Sequence, residues 1–257
     1  MRFNRICRAL LSASIVVIVQ TACATRTPDG PPIYLVSATP TVLFSVNDGE
    51  AGALFSDSDI VVEDSVTVIH LTPDAPPRVV TRYGEVSSTI LGSPHAAIVG
   101  GFGIVTNSNI RFNDQAQLTE SKEPWGGENE VKSIDLDSLQ VAGTLVLESA
   151  PWLSIAHPDG RRVVVALSDG WIVLEIGDDG ALSELSRSRI NSSVFSFDIG
   201  PDGKTIIAVV AKESAAWEIK RYSLNSDNSI THTANILSDR FRIDGPFSPR
   251  ILSLIHI

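Results

Sequence analysis

The feature that most constrains this chain is a corner written twice. Pro158-Asp159-Gly160 and Pro201-Asp202-Gly203 lie 43 residues apart in closely similar surroundings. Ser154-Ile155-Ala156-His157 leads into the first, and Phe197-Asp198-Ile199-Gly200 leads into the second. A basic residue and an apolar run leave each corner, Val163-Val164-Val165-Ala166-Leu167 in one copy and Ile206-Ile207-Ala208-Val209-Val210 in the other. Trp171 and Trp217, 46 residues apart, open a third segment in each. Proline presets φ for the first central position of a turn, aspartate accepts local backbone hydrogen bonds, and glycine takes the left-handed conformation that closes it. Each copy therefore reads as strand, tight turn, strand, loop, strand. A fourth strand is expected at 182–186 after Asp179-Gly180, and at 230–234 after Asp227-Asn228.

Short strands repeating every 40 to 50 residues or so are the signature of β-propeller blades. The unbroken apolar run at 163–167 supports this, because a strand buried on both faces needs a sheet packed on either side. Phe197-Asp198-Ile199 alternates instead, as a strand with one buried face does. Weaker copies precede the two strong ones. An inner strand and turn are expected at Phe44-Ser45-Val46-Asn47-Asp48-Gly49, with outer strands at 64–71 and 78–83. A strand pair is expected at 95–105, completed by strands at 130–136 and 143–147. Gly245-Pro246-Phe247-Ser248-Pro249-Arg250 looks like the opening of a further repeat. The fold expected is all-β, a propeller of four-stranded antiparallel blades, with about four blades and the start of a fifth in residues 33–251. An unclosed ring exposes an edge strand, so the natural protein is expected to be longer. Leu252-Ser253-Leu254-Ile255-His256-Ile257 resembles a translated sequencing adapter and is expected to be a non-native tail.

The first 24 residues read as an export signal. Arg2, Arg5 and Arg8 form a positive start, and an apolar stretch too short for a membrane span comes next at 9–19. Thr21-Ala22-Cys23 resembles the end of a bacterial lipobox with Cys23 lipidated, although Gln20 departs from that pattern; Ala22-Cys23-Ala24 equally fits ordinary signal-peptidase cleavage. Residues 25–32 are a Pro-rich linker. The expected location is the periplasm or cell envelope, with membrane attachment only through that anchor. The sole cysteines are Cys7 and Cys23, which excludes internal disulfides and thiolate catalysis from the body. The net charge of −10 and pI near 4.9 oppose a nucleic-acid role, which needs clustered Lys and Arg.

With Arg161-Arg162-Val163-Val164-Val165 and Lys204-Thr205-Ile206-Ile207, the two Pro-Asp-Gly repeats resemble blades of the lactonase-like and YVTN-type β-propellers. The resemblance covers 150–237 well and 40–147 loosely. It implies seven blades when complete, and it is compatible with sugar-lactone hydrolases, surface-layer repeats, and periplasmic binding or chaperone proteins. A shared fold does not choose among them.

Three residues stand out as ligand-binding candidates: His95 and His157 at inner-strand positions, where a propeller's mouth lies, and Trp125 in the insert at 107–130, where an aromatic beside two glycines suits stacking. His157 has a plain alternative reading as the start of the turn, since Gly200 fills that place in the next repeat. His70 and His232 stand alone in strands, and no His or Cys cluster has metal-ligand spacing. Asp57/Asp59, Glu63/Asp64, Asp135/Asp137 and Asp178/Asp179 are paired carboxylates, of which Asp178-Asp179-Gly180 reads most simply as a hairpin turn. No P-loop, nucleophile elbow or dinucleotide motif occurs, so no cofactor is expected. The function expected is a binding or scaffold module for an unidentified protein or small molecule, the alternative being a lactonase-like hydrolase.

Overall fold

The structure is a computed structural model, and it describes residues 42–47, 63–72, 75–84, 96–107, 110–112, 118–120, 129–190, 192, 194–211 and 217–237. The signal segment, the linker, Cys23, His95, Trp125, Asp57, Asp59 and everything after residue 237 lie outside them. Among the described residues every regular element is a strand.

Four sheets succeed one another along the chain. The first has three strands in sequential order, β1 (Val42–Asn47), β2 (Ser65–His70) and β3 (Arg78–Tyr83). The second pairs β4 (Ala96–Val99), β5 (Phe102–Asn107), β8 (Glu130–Asp135) and β9 (Val141–Val146). Between β5 and β8 the chain makes a separate hairpin of β6 (Ile110–Phe112) and β7 (Leu118–Glu120). The third sheet is β10 (Pro151–Ala156), β11 (Arg162–Leu167), β12 (Gly170–Ile176) and β13 (Leu182–Arg189). The fourth is β14 (Val194–Ile199), β15 (Thr205–Ala211), β16 (Trp217–Leu224) and β17 (Ile230–Leu237). All pairings are antiparallel.

The expected blades are therefore present, the first showing three strands among the described residues. One correction concerns the insert. The insert at 107–130, read from sequence as one long loop, gives its ends to β5 and β8 and holds a hairpin of its own. Three residues per strand carry too little alternation to be seen as strands in a sequence.

The sheets stack face to face behind adjacent inner strands β1, β4, β10 and β14. Each interface is an apolar cluster. Phe44, Val46, Val66 and Val68 of the first blade meet Ala96, Ile98, Val105 and Ile134 of the second. Ala97, Val99, Ile104 and Val131 meet Val163, Val165, Leu167, Ile172 and Leu174 of the third. Val164, Ala166, Trp171 and Val173 meet Phe197, Ile206, Ala208, Val210 and Tyr222 of the fourth. Strand β11 thus gives odd residues to one neighbour and even residues to the other, as the period of two requires. Trp171 is fully buried, with its ring centroid 4.9 Å from Phe197 and 5.6 Å from Tyr222, both edge-on.

Outer strands carry a repeated irregularity. Leu185 in β13 and Thr233 in β17 are extra residues at equivalent pairing positions, each three steps into its strand, and Ala142 plays this part in β9. Such bulges bend an edge strand and re-aim the side chains beyond them. The next residue then faces the neighbouring blade's last turn. A Cβ on Gly143 would stand 2.6 Å from the Gly180 carbonyl oxygen, and the Ser186 hydroxyl donates to the Asn228 carbonyl. Ser133 reinforces the first of these docks by donating to Gly180 O at 2.5 Å.

Candidate functional site

The two Pro-Asp-Gly corners fold alike. Gly160 N–H donates to His157 O (3.0 Å) and His157 N–H to Arg162 O (2.8 Å); Gly203 N–H donates to Gly200 O (2.9 Å) and Gly200 N–H to Thr205 O (2.7 Å). Asp159 Oδ1 accepts from the Arg161 and Arg162 amides (2.9 and 3.1 Å), and Asp202 Oδ1 accepts from the Lys204 and Thr205 amides (both 2.9 Å). Gly160 and Gly203 have φ of +73° and +64°, where a side chain is strained.

The corners differ in what faces them. His157, 6% exposed, reaches from the third blade into the fourth, with Nε2 2.8 Å from Gly203 O. A carbonyl oxygen only accepts, so Nε2 carries the proton. Nδ1 lies 3.2 Å from the Asp159 amide, whose hydrogen it accepts, and 3.0 Å from Asp159 Oδ1. Arg162 Nη2 is nearly equidistant from the two ring nitrogens at 3.3 and 3.2 Å, which places it off the ring plane. The same guanidinium donates through Nε to Asp159 Oδ2 (2.6 Å) and through Nη1 to Asn228 Oδ1 (2.5 Å) in the fourth blade. His157, Asp159 and Arg162 of one blade thus grip Gly203 and Asn228 of the next.

That geometry sets the electrostatics. Burial pushes the Asp159 carboxyl up, but the Arg161 amide, the Arg162 guanidinium and the Arg162 amide hold it down to about 2. For Asp202 burial again pushes up, and the Thr205 and Lys204 amides with the Thr205 hydroxyl bring the carboxyl below its ordinary value. Asp135 is lowered mainly by the Ser138 hydroxyl and amide, and Asp227 by the corresponding groups of Ser229. Asp179 Oδ1 accepts from the Ala181 amide at 3.0 Å. Within the pairs Asp135/Asp137 and Asp178/Asp179, the Asp135 and Asp179 carboxylates accordingly build turns, and Asp178-Asp179-Gly180 is the hairpin turn its sequence suggested, with Gly180 at φ +84°.

Of the three ligand-binding candidates, His157 alone falls among the described residues, and the structure brings it together with backbone and Arg162. His70 is half-buried in β2, and exposed His232 lies 2.9 Å from Asn235 Oδ1. Among the described residues no three His, Cys, Asp or Glu side chains are grouped to hold a metal ion.

At the opposite end of the blades stands a second polar group. Buried Asn107 donates through Nδ2 to Glu130 Oε1 (2.9 Å), and Lys132 Nζ lies 2.8 Å from the same oxygen. These residues join the two roots of the 107–130 insert, while Asn107 Oδ1 is buried without a hydrogen-bond partner. Glu218 and Lys220 of β16 repeat the pair at 3.1 Å. The sequence did carry a signal for this, since Glu130-Val131-Lys132 and Glu218-Ile219-Lys220 take equivalent places near the start of equivalent strands and residues two apart share a face.

No family model matches the chain, and no curated protein does. Solved structures do. A candidate 6-phosphogluconolactonase from Bacteroides fragilis is 14% identical, with 79% of this chain and 69% of that chain covered and a TM-score of 0.41. The periplasmic gluconolactonase of Pseudomonas aeruginosa is 13% identical over 76% and 69% of the two chains, with a TM-score of 0.39. TolB of Acinetobacter baumannii is 14% identical over 75% and 40%, with a TM-score of 0.42. The sheets stacked behind a row of inner strands make the chain an all-β protein of the β-propeller class, with gluconolactonases among its structural neighbours.

Proposed function

We propose that the chain is an exported cell-envelope β-propeller that works as a binding or scaffold module. The observation that carries this reading is the placement of His157. A general base in lactone opening needs a free lone pair within hydrogen-bond reach of a water or substrate. Here Nε2 is spent on Gly203 O, Nδ1 faces the Asp159 amide, and the ring is buried under Arg162. His157, one of the ligand-binding candidates of the sequence, instead holds two blades together. Export rests on the Arg2, Arg5, Arg8 and 9–19 pattern, and lipidation on Cys23.

The test is hydrolysis of aldonic-acid lactones by the purified chain, alongside His157→Ala and His95→Ala. A scaffold gives background hydrolysis in all three proteins. Turnover that disappears in either variant would establish the hydrolase reading in its place.

A further inference from the structure

We draw no further inference here: the strongest candidate, the buried Asn107–Glu130–Lys132 cluster at the roots of the 107–130 insert, carries nothing because its unpartnered acceptor, Asn107 Oδ1, is sealed from solvent and nothing in the structure shows what would pair with it.

Discussion

The imidazole of His157 is hydrogen-bonded through Nε2 to the main-chain oxygen of Gly203, 2.8 Å away in the next blade. The side chain of one corner thereby closes on the backbone of its own repeat. A Cβ on Gly203 would stand 2.7 Å from that nitrogen, so the contact leaves no room for any other residue at 203.

Removing the imidazole strands a buried carbonyl and opens a void. His157→Ala should lower the unfolding free energy by about 2–3 kcal/mol, read as a shift in urea midpoint at unchanged slope. Gly203→Ala should cost a similar amount, from its positive φ and the clash with His157 together. A His157→Ala protein as stable as the parent would remove the imidazole from the blade junction.

Arg162 couples the same two blades through Asn228. A double-mutant cycle of Arg162→Ala and Asn228→Ala should give a coupling of about 1–2 kcal/mol, the range for a hydrogen bond to a charged group. Arg162→Lys should behave like the alanine variant, because an ammonium cannot serve Asp159, Asn228 and the imidazole face at once. Additive single losses would mean that the two side chains act independently.

Acid should loosen the corners. The Asp159 carboxyl is depressed in the folded chain to about 2 from an ordinary 3.8. A depressed carboxyl stabilises the fold above its unfolded value and loses that contribution as pH falls toward the folded one. The loss therefore runs from about pH 4 down to about pH 2, and it amounts to at most about 2 kcal/mol after allowance for solvent screening of a partly exposed group. Asp202 and Asp135 shift in the same direction and add to the slope. Asp159→Asn should flatten the acid limb of a Tm-versus-pH curve while lowering Tm at neutral pH. An unchanged acid limb in that variant would contradict the assignment.

Glycines can be sorted by what surrounds them. Gly143→Ala drives a methyl against Gly180 O at 2.6 Å and Ser133 Oγ at 2.9 Å, and should cost about 1–3 kcal/mol. Gly101→Ala meets nothing within 4 Å and should fall within about 0.5 kcal/mol of the parent. Thermal unfolding of the two variants side by side checks the contrast.

Legibility in the sequence tracked the range of the interaction. Pro158-Asp159-Gly160 was readable because its turn closes within six residues, and the burial of 163–167 on both faces was readable because an unbroken apolar run is a local pattern. The grip of His157 on Gly203 was not, since the two are 46 residues apart and meet only once the blades are stacked. That is why a residue with an architectural duty looked like a candidate for chemistry. The insert hairpin escaped because three-residue strands leave almost no pattern. The Glu-x-Lys pairs of β8 and β16 were visible in retrospect as a recurring triplet, but two charges at one spacing look like an ordinary solvated strand face until their burial is known.

The bulge that precedes Gly143 and Ser186 has a further outcome. Each blade is received through a main-chain oxygen, at Gly180 in one case and Asn228 in the other, by a small residue that the bulge has turned inward. Such a joint recognises the path of a neighbour more than its identity. Substitutions that keep the path can accumulate on both sides without loosening the fit, and whole repeats can in principle be exchanged as cassettes. A chain assembled this way is free to diverge far in composition while its architecture stays put.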